Sequence, residues 1–555
     1  MTIADAFPAR APAAIPRRRE HSSALSSVAA IIALATAIGL VLRLYRLTRP
    51  GYLLGAPEYD DGEYLGTAIR FAAGVMPYRD FIILQPPGVA VLMAPLGFLA
   101  QVTGSATAMV VARILTVLAG TASIPLAGRL VRHQGPVAVA LCCGILAVFP
   151  DAINASTTLY LEPWVDVFVL LGALALFDGD ATAASGKRLV WGGVAVGLAG
   201  AIKAFAVFPA LAWFVLVAAH RQGRRGTFYL VGVVAGFAIP VAPFVTLAPR
   251  RAFNAVILVN LHRDVVRIPV ASRLGSLFGL ASLNLGPSGV DVAALVIGLA
   301  IAACPLAATL LTRRLPPALE QFALLAAFLS LVAFLAPTGY WPHYAAFFAP
   351  FLSLSVALPA ARLSHAVTTR WALSRHRQRA VATASVAAVA LFAAMALRDY
   401  RSESLLRAYI PPSTLQQVIP AGACVLTDIS SFTIMANRFV SDVPGCSQIV
   451  DAIATDEAFS GGRRGVNGAG RYPAVARLWM DAFRHAQFVW LKCVPPGAAS
   501  CDRNTNKRIP WTPQIRGYLL SHFHPLPEPG VFIRNQLPES QRGIADATAL
   551  PAGWR

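Results

Sequence analysis

Residues 27–42 read SVAAIIALATAIGLVL, an apolar run, and residues 59–64, shortly after it, read YDDGEY. Acidic residues are scarce in this chain, since Asp and Glu together number 27 of 555 residues. A cluster of them nevertheless lies just after the first apolar run: Asp60, Asp61, Glu63 and Asp80. The pattern predicts a carboxylate site at the lipid–water boundary, directly after the first membrane-spanning helix.

The composition predicts a polytopic helical membrane protein. Hydrophobic residues make up 56% of the chain, charged residues 13%, and the mean hydropathy is +0.60, whereas a soluble domain carries about 25% charged residues. Many windows reach the roughly 20 residues that cross the hydrocarbon of a bilayer. A soluble protein could not bury so much apolar surface.

The net charge of +20 is distributed in a way that argues against nucleic-acid binding. Basic residues form short clusters between the apolar runs, the pattern that marks cytoplasmic loops. The clusters are Arg17 to Arg19, Arg129 with Arg132, Lys187 with Arg188, Arg221 with Arg224 and Arg225, Arg313 with Arg314, and 370–379.

About eleven spans are predicted, with the N-terminus in the cytoplasm and the first helix uncleaved. They lie near 27–45, 107–130, 135–150, 157–177, 189–203, 204–219, 227–247, 290–312, 319–336, 344–362 and 380–397. Residues 86–102 are ambiguous because prolines flank and interrupt them, and we interpret them as a juxtamembrane or re-entrant helix on the outer face. The predicted organisation is a disordered cytoplasmic N-terminus (1–25), an all-α membrane domain (26–398) with outer loops 46–104 and 248–289, and an extracytoplasmic tail (399–555).

The second outer loop violates the charge rule, since it holds several bases on the disfavoured side. They are Arg250, Arg251, His262, Arg263, Arg267 and Arg273. Arginine binds phosphate oxygens in a bidentate manner, so the loop is a candidate site for a lipid phosphate. The alternative is that these bases meet outer-leaflet headgroups or simply water.

The tail is polar and rich in Gly and Pro, which predicts a small α/β domain. Strands are predicted at 423–427, 487–491 and 531–534, and helices at 472–485 and 513–521. Four of the seven cysteines lie there, and an oxidising compartment would favour two disulfides. We favour Cys424–Cys446 and Cys493–Cys501 because each closes a local loop, while a zinc site remains the alternative.

Four motifs together resemble those of a known family. They are YDDGEYLGTAIRFAAGVMPYRDFIILQPPG (59–88), TLYLEP (158–163), GLAGAIK (197–203) and YWPHY (340–344) followed by Pro350. In order and position they resemble the GT-C superfamily of membrane glycosyltransferases, in particular the protein O-mannosyltransferases and lipid A aminoarabinose transferases. The chain departs from that pattern in having Asp61 where Glu is commoner and Gln85 where Lys or His is common.

The resemblance implies an inverting glycosyltransferase of the bacterial plasma membrane. The donor would be a polyprenyl-phosphate sugar, and the acceptor an envelope glycan, lipid or protein on the outer face. A carboxylate within hydrogen-bond reach can take the acceptor proton, and nearby cations can stabilise the leaving lipid phosphate. Two other classes remain open: a transporter or flippase of lipid-linked sugars, and a non-catalytic component of cell-wall assembly.

The catalytic candidates are Asp60, then Asp61, with Asp80 as a candidate for acceptor binding. Neighbouring residues on an extended segment face opposite ways, so Asp60 and Asp61 need a turn to converge. The alternative for Asp61 and Glu63 is a solvated helix face or a salt bridge to Arg70. The three aspartates could also hold a divalent cation, since such cations prefer carboxylate oxygens, and the sequence establishes no cofactor beyond this.

The candidates for binding donor phosphate or substrate are Glu162, Lys203, His262, Arg263, Arg267, Tyr340, His343 and Tyr344. Glu162 and Asp166 share a helix face, and ionisable groups in a span usually line a polar cavity. The alternatives are that Glu162 faces water at the interface, that Lys203 extends to the membrane surface, and that His343 is structural.

Overall fold

The computed structural model describes residues 17–262, 268–280, 286–337, 339–371, 394, 397–398, 412–460, 471–492 and 509–536. Helices make up most of the chain before residue 372, and a small sheet lies in the tail.

Six of the described helices are long and apolar enough to cross a membrane. They are α1 (Arg17–Leu47), α4 (Ser105–Val131), α10 (Gly223–Leu247), α14 (Gly286–Thr312), α15 (Ala318–Leu335) and α16 (Tyr344–Trp371). A seventh span results if α5 (Pro136–Val148) and α6 (Pro150–Ser156), which meet at 56°, are counted together.

The predicted count of eleven spans stays a prediction. Three of the predicted spans correspond to helices of 13 to 17 residues, namely α7 (Glu162–Leu176), α8 (Gly186–Ile202) and α9 (Val207–Ala219). The predicted span at 380–397 lies almost entirely outside the described residues.

Helices α8 and α10 approach closely through two pairs of glycines spaced four residues apart. A Cβ atom added to Gly193 or Gly197 would lie 2.3 Å from a backbone oxygen of α10. The reciprocal positions, Gly232 and Gly236, would meet backbone oxygens of α8 at 2.1 and 2.2 Å. Small residues at this spacing allow membrane helices to pack backbone to backbone. The contact fixes the end of α8, where Lys203 follows.

The first predicted loop contains two helices, of which the second corresponds to the helix predicted at 86–102. Helix α2 (Tyr59–Ala72) carries the acidic motif, and α3 (Gly88–Thr103) is an apolar helix of 16 residues with Pro95 inside it. The helices touch where Gly97 faces Ala68, since a Cβ on Gly97 would lie 2.2 Å from the Ala68 carbonyl oxygen. The re-entrant placement of α3 remains a prediction.

The second predicted loop is built from short helices. They are α11 (Pro249–Phe253), a π-helical stretch (Asn254–Val259), α12 (Asn260–His262) and α13 (Val270–Leu277). A small hairpin of β1 (Phe177–Asp178) and β2 (Ala181–Thr182) joins α7 to α8.

The tail contains a four-stranded sheet in the order β3 (Val425–Thr427), β4 (Phe488–Trp490), β6 (Val531–Arg534) and β5 (Phe523–Pro525). Strands β3 and β4 are parallel and the other pairs antiparallel. The described helices around it are α17 (Pro412–Val418), α18 (Ser430–Met435), α19 (Ala452–Ser460), α20 (Pro473–His485) and α21 (Pro513–His522). The strands and helices predicted from the sequence are therefore found, while the boundary at 399 stays a prediction.

The tail packs directly on the membrane helices. Ile434, Met435, Phe439 and Val450 belong to the same buried apolar cluster as α2, α3 and α4. The hydroxyl of Ser105, the first residue of α4, donates a hydrogen bond of 2.6 Å to the carbonyl oxygen of Ile434. The tail therefore shares part of its buried apolar core with the membrane helices.

The cysteines follow the prediction where the structure describes them. A disulfide joins Cys424 to Cys446, whereas Cys493 and Cys501 lie outside the described residues. Cys142, Cys143 and Cys304, in the membrane helices, are free thiols.

Candidate active site

Asp61 is fully buried, and both of its carboxylate oxygens have partners. The Arg113 guanidinium donates to Oδ2 through two nitrogens, one at 3.1 Å, and the backbone N–H of Leu159 donates to Oδ1 at 2.5 Å. Asp61 thereby ties α2 to α4 and to the segment before α7. The alternative of a solvated face is wrong for Asp61 and Glu63, because both are buried. The Arg70 guanidinium donates to Gln448 of the tail.

Asp60 occupies a different environment from its neighbour. Successive residues of an α-helix point about 100° apart, so the turn that begins α2 separates the two carboxylates instead of converging them. Asp60 is half-buried, and the Tyr64 hydroxyl, one helical turn on, donates to its Oδ2 at 3.3 Å. The two candidate bases therefore differ in structure. Asp61 holds helices together through its hydrogen bonds, and Asp60 is the more accessible carboxylate.

Glu162 and Lys203 form a buried ion pair, and the half-buried His343 lies beside it; these three residues are called the charged cluster below. Glu162 begins α7, Lys203 follows α8, and His343 precedes α16. The Lys203 ammonium donates to Glu162 Oε1 at 2.5 Å, and His343 Nε2 lies 3.7 Å from the same oxygen. Glu162 does not face water as the alternative supposed, since its side chain is fully buried. Lys203 is likewise buried and does not extend to a membrane surface.

Aromatic rings surround this cluster. The Tyr160 ring stacks on the His343 ring at a centroid distance of 4.2 Å, and Tyr344 meets His343 edge-on at 5.0 Å. The Lys203 ammonium lies 5.0 Å from the Phe205 centroid and 5.4 Å from that of Tyr344. A cation held against ring faces in this way gains electrostatic stabilisation.

The charged cluster adjoins the acidic end of α2. The carboxylates of Asp60 and Glu162 both interact electrostatically with the Lys203 ammonium. The same two carboxylates act on the buried hydroxyl of Tyr64. All four motifs singled out in the sequence therefore meet in one place, although they are spread from residue 59 to residue 344.

Tyr340 lies in a neighbouring hydrogen-bonded chain. Its buried hydroxyl donates to Ser276 Oγ at 3.0 Å, and Ser276 in turn donates to Asp151 Oδ2 at 2.9 Å. This chain links the segment before α16 to α13 and α6.

Asp80 forms an ion pair at the protein surface. Arg79 donates to it at 2.7 and 2.9 Å, and the Met76 backbone N–H donates at 2.8 Å. The hydrogen bond from Arg79 lowers the pKa of the Asp80 carboxyl below its usual range. Within the described ranges, no group of three or more His, Cys, Asp or Glu side chains is placed to hold a metal ion. Asp60, Asp61 and Asp80 therefore do not converge on a cation there.

The basic residues predicted in the second outer loop are only partly described. His262 ends α12 but its side chain is not described, and Arg263 and Arg267 lie outside the described residues. Arg273 donates to the backbone oxygens of Ile268, Leu335 and Pro337. Its guanidinium thus holds this segment against the end of α15.

Two residues of the site escaped the sequence analysis. Arg113 is a charged side chain in the interior of an apolar span, which is itself a signal of a functional or pairing role. Glu58 is a further acid two positions before Asp60. Burial, followed by the charges of Asp61 and Asp60, raises the pKa of Glu58 to about 7. Hydrogen bonding with Tyr160 and the positive charge of Lys492 of the tail lower the same pKa, but they do not offset the rise.

Asp166 lies one turn beyond Glu162 and is also buried. Its Oδ1 has no hydrogen-bond partner among the described residues. It lines a small internal void together with Arg43, Ser123 and Ser156. The predicted shared face of Glu162 and Asp166 is thus a polar face within the helix bundle.

No family model and no curated protein matches the sequence, but solved structures do resemble the fold. Apo ArnT from Cupriavidus metallidurans is 19% identical over 59% of this chain and 59% of its own length, with a TM-score of 0.42. ArnT from the same organism bound to undecaprenyl phosphate is 18% identical over 74% of this chain and 85% of its own, with a TM-score of 0.49.

The Archaeoglobus fulgidus oligosaccharyltransferase in complex with Zn and sulfate is 14% identical over 83% of this chain and 67% of its own, with a TM-score of 0.43. ArnT, a lipid A aminoarabinose transferase, and the oligosaccharyltransferase are GT-C membrane glycosyltransferases, the group that the sequence motifs resemble.

Proposed function

We propose that the protein is an inverting glycosyltransferase that moves a sugar from a polyprenyl-phosphate donor to an acceptor of the cell envelope. The observation that carries the proposal is that Asp60 and Glu162 both act electrostatically on the Lys203 ammonium, while His343 Nε2 lies 3.7 Å from Glu162 Oε1. Sugar transfer from a lipid phosphate needs a base for the acceptor and cations for the leaving group. This cluster supplies both within one buried, aromatic-lined region.

Asp60 is the proposed general base. It would accept the proton of the acceptor hydroxyl while that oxygen bonds to the anomeric carbon. The bond from the anomeric carbon to the phosphate oxygen breaks in the same step, and the electron pair leaves with the polyprenyl phosphate. Asp61 is poorly suited to this role, because Arg113 and the Leu159 N–H already occupy its oxygens.

Lys203 and His343 are proposed to stabilise the departing phosphate. An ammonium carries three donors, and only one of those on Lys203 is needed for Glu162. Glu162 fixes the ammonium and lies 3.7 Å from His343 Nε2, so it holds both side chains in place. Tyr344, whose ring borders both, would shield the reacting phosphate from water. Asp80, Arg263, Arg267, His262 and Tyr340 remain candidates for contacts with acceptor or donor at the periphery.

The reaction is proposed to occur on the outer face of a bacterial plasma membrane. With the basic clusters inside, α2 and the segment before α16 fall outside. The Cys424–Cys446 disulfide supports an oxidising compartment for the tail, because disulfides persist there.

The test is donor consumption by purified protein reconstituted in lipid nanodiscs. A panel of polyprenyl-phosphate sugars is offered with envelope acceptors, and released polyprenyl phosphate is measured. Asp60→Asn and Asp60→Ala are expected to lower turnover by about 10²–10⁴-fold, the usual contribution of a general base. Asp178→Asn is the control, since its side chain is 79% exposed and lies on β1, away from the cluster.

Two outcomes would contradict the proposal. Turnover of Asp60→Asn near the wild-type rate would remove Asp60 as the base. Movement of intact donor across a liposome membrane, with no release of polyprenyl phosphate under any acceptor, would instead indicate a flippase.

A further inference from the structure

Helix α13 holds the segment that leads from α15 into α16 and carries His343. Arg273 and Ser276 lie one turn apart on α13, and both side chains are buried, so they share one face of the helix. The Arg273 guanidinium donates to the carbonyl oxygens of Leu335 and Pro337, at and just after the end of α15. This face of α13 therefore fixes the start of the segment through its backbone.

Ser276 fixes the same segment closer to His343. Its Oγ accepts a hydrogen bond of 3.0 Å from the Tyr340 hydroxyl and donates one of 2.9 Å to Asp151 Oδ2. A serine hydroxyl has one proton to give, so the proton directed at Asp151 leaves the lone pairs of Ser276 for Tyr340. All three side chains are buried, where a polar group that loses its partner is costly. The three groups thus form a directed chain that ends on the carboxylate.

The turn that ends α13 brings Ser276 to Asp151. Gly279 has a φ of +69°, and its N–H and that of the next residue donate to the carbonyl oxygens of Ser276 and Gly275 at 2.9 and 2.6 Å. This pair of bonds is the Schellman motif, which ends helices at a glycine. A Cβ on Gly279 would lie 3.2 Å from the Phe149 ring. The turn therefore packs closely against the start of α6, where Asp151 lies.

Aromatic rings connect Tyr340 to His343. The Tyr340 ring meets the Tyr344 ring edge-on at a centroid distance of 5.7 Å, and Tyr344 meets His343 in the same way at 5.0 Å. Edge-on contacts of this kind are a preferred arrangement of aromatic pairs. Because Tyr160 stacks on His343 at 4.2 Å, the imidazole is held between two tyrosine rings. The position of one of these rings depends on where the Tyr340 hydroxyl is fixed.

We propose that Ser276 is a positioning residue for glycosyl transfer, which fixes Tyr340 with the help of Asp151 and thereby holds His343 where the donor phosphate departs. The inference rests on the proposed function and deepens it. Ser276 touches neither donor nor acceptor and reaches the reaction only through the rings of Tyr340 and Tyr344. The second predicted loop thus contributes a helix that locks the segment carrying His343, in addition to its basic residues.

The experiment measures kcat and the KM values for donor and acceptor in nanodiscs. Ser276→Ala removes both hydrogen bonds of the chain, so kcat should fall about 5–100-fold, the factor that two ordinary hydrogen bonds correspond to. The KM of the acceptor should stay within about twofold, because the proposed contact with the acceptor is Asp60 on α2 and only transition-state stabilisation is lost.

Ser330→Ala is the matched control for this variant. Ser330 is buried on α15, and its hydroxyl has no hydrogen-bond partner among the described residues. The control removes the same oxygen atom from a buried site without breaking a chain, so its kcat should equal that of the wild type.

A double-mutant cycle separates positioning from loss of folding. Ser276→Ala should cost less than about twofold more in a His343→Ala background, since residues that act as a unit are not additive. A variant that is merely less well folded would lose the same factor with and without His343. Melting temperature and elution volume are measured for every variant.

Two substitutions of nearly equal size test the end of the chain at Asp151. Asp151→Asn keeps a carbonyl oxygen that accepts from Ser276, so kcat should stay within about twofold of the wild type. Asp151→Leu offers no acceptor, and kcat should fall at least about fivefold, because the buried hydroxyl of Ser276 then lacks its acceptor.

Three results would overturn the inference. They are a kcat of Ser276→Ala within about twofold of the control, which is less than one hydrogen bond corresponds to, equal factors of loss with and without His343, and an Asp151→Asn as slow as Asp151→Leu. If Ser276→Ala gives no monodisperse peak, the same cycle is run with Tyr340→Phe, which keeps the ring and removes only the hydroxyl. Absence of turnover in the wild type would refute the proposed function, whereas an active wild type with unaffected variants would refute only the role of Ser276.

Discussion

Removing the charge of Arg113 is expected to destabilise the protein more than removing that of Arg129, the other charged residue of α4. The guanidinium is fully buried and pairs with Asp61. It also donates to the backbone oxygens of Tyr52, Leu53 and Gly55. Arg113→Met would leave a buried carboxylate without its countercharge, together with three backbone acceptors that have lost a donor.

The magnitude follows from these contacts. Breaking a buried ion pair by removing one partner costs about 3–5 kcal/mol, and a buried acceptor left unsatisfied costs about 1–3 kcal/mol more. At roughly 2–4 °C per kcal/mol for a domain of moderate size, Arg113→Met should lower the melting temperature by at least about 10 °C. Adding Asp61→Asn to this variant removes the unpaired charge and should recover part of the loss.

The assay is thermal unfolding in detergent, followed by tryptophan fluorescence and by the fraction that elutes as a monodisperse peak. Arg129→Met is the matched control, because Arg129 lies on the same helix and is exposed. A melting temperature of Arg113→Met within about 2 °C of the control would refute the reasoning, since such a shift corresponds to no more than about 1 kcal/mol.

Three further predictions concern the pH dependence, the helix contact and the disulfide. Because burial raises the pKa of Glu58 to about 7, the folded state holds this proton more tightly than the unfolded state. The free energy of unfolding should therefore fall by about 3 kcal/mol as pH rises from about 4.5 to 7, and pH-dependent melting curves of Glu58→Gln should lack this contribution. Gly197→Val should prevent α8 and α10 from packing and abolish the monodisperse peak, whereas Gly200→Ala, with its nearest neighbour at 3.6 Å, should elute normally. Cys424→Ala should lower the stability by about 2–4 kcal/mol, and a melting temperature of wild type that is insensitive to reductant would contradict a structural disulfide.

The sequence was sufficient to predict the structure where a feature depends on one local segment of the chain. Apolar runs located the long helices, and alternation with turn residues located strands such as Val425–Thr427. The four motifs also identified the segments that meet at the site, because each motif combines an ionisable group with the end of a helix.

The sequence was insufficient where a partner lies far along the chain. The acidic motif makes Asp61 a candidate base, yet its role is decided by Arg113, 52 positions away. Glu63 was open to interpretation as a solvated residue, and it is buried because the tail covers α2. Nothing local in the sequence distinguishes Glu58 from other acids, because its raised pKa arises from burial in the folded protein and from the charges of Asp61 and Asp60.

The apolar core that the tail shares with the membrane helices limits how this protein can be divided for study. A soluble fragment that begins after the last membrane helix would expose Ile434, Met435, Phe439 and Val450, which are buried against the membrane helices. A membrane fragment without the tail would in turn expose most of α2, where residues from Asp61 to Ile69 are all buried. Both pieces would present apolar surfaces to solvent and tend to aggregate. If the protein is divided, the two parts should therefore be co-expressed as separate chains, so that they can associate through this interface.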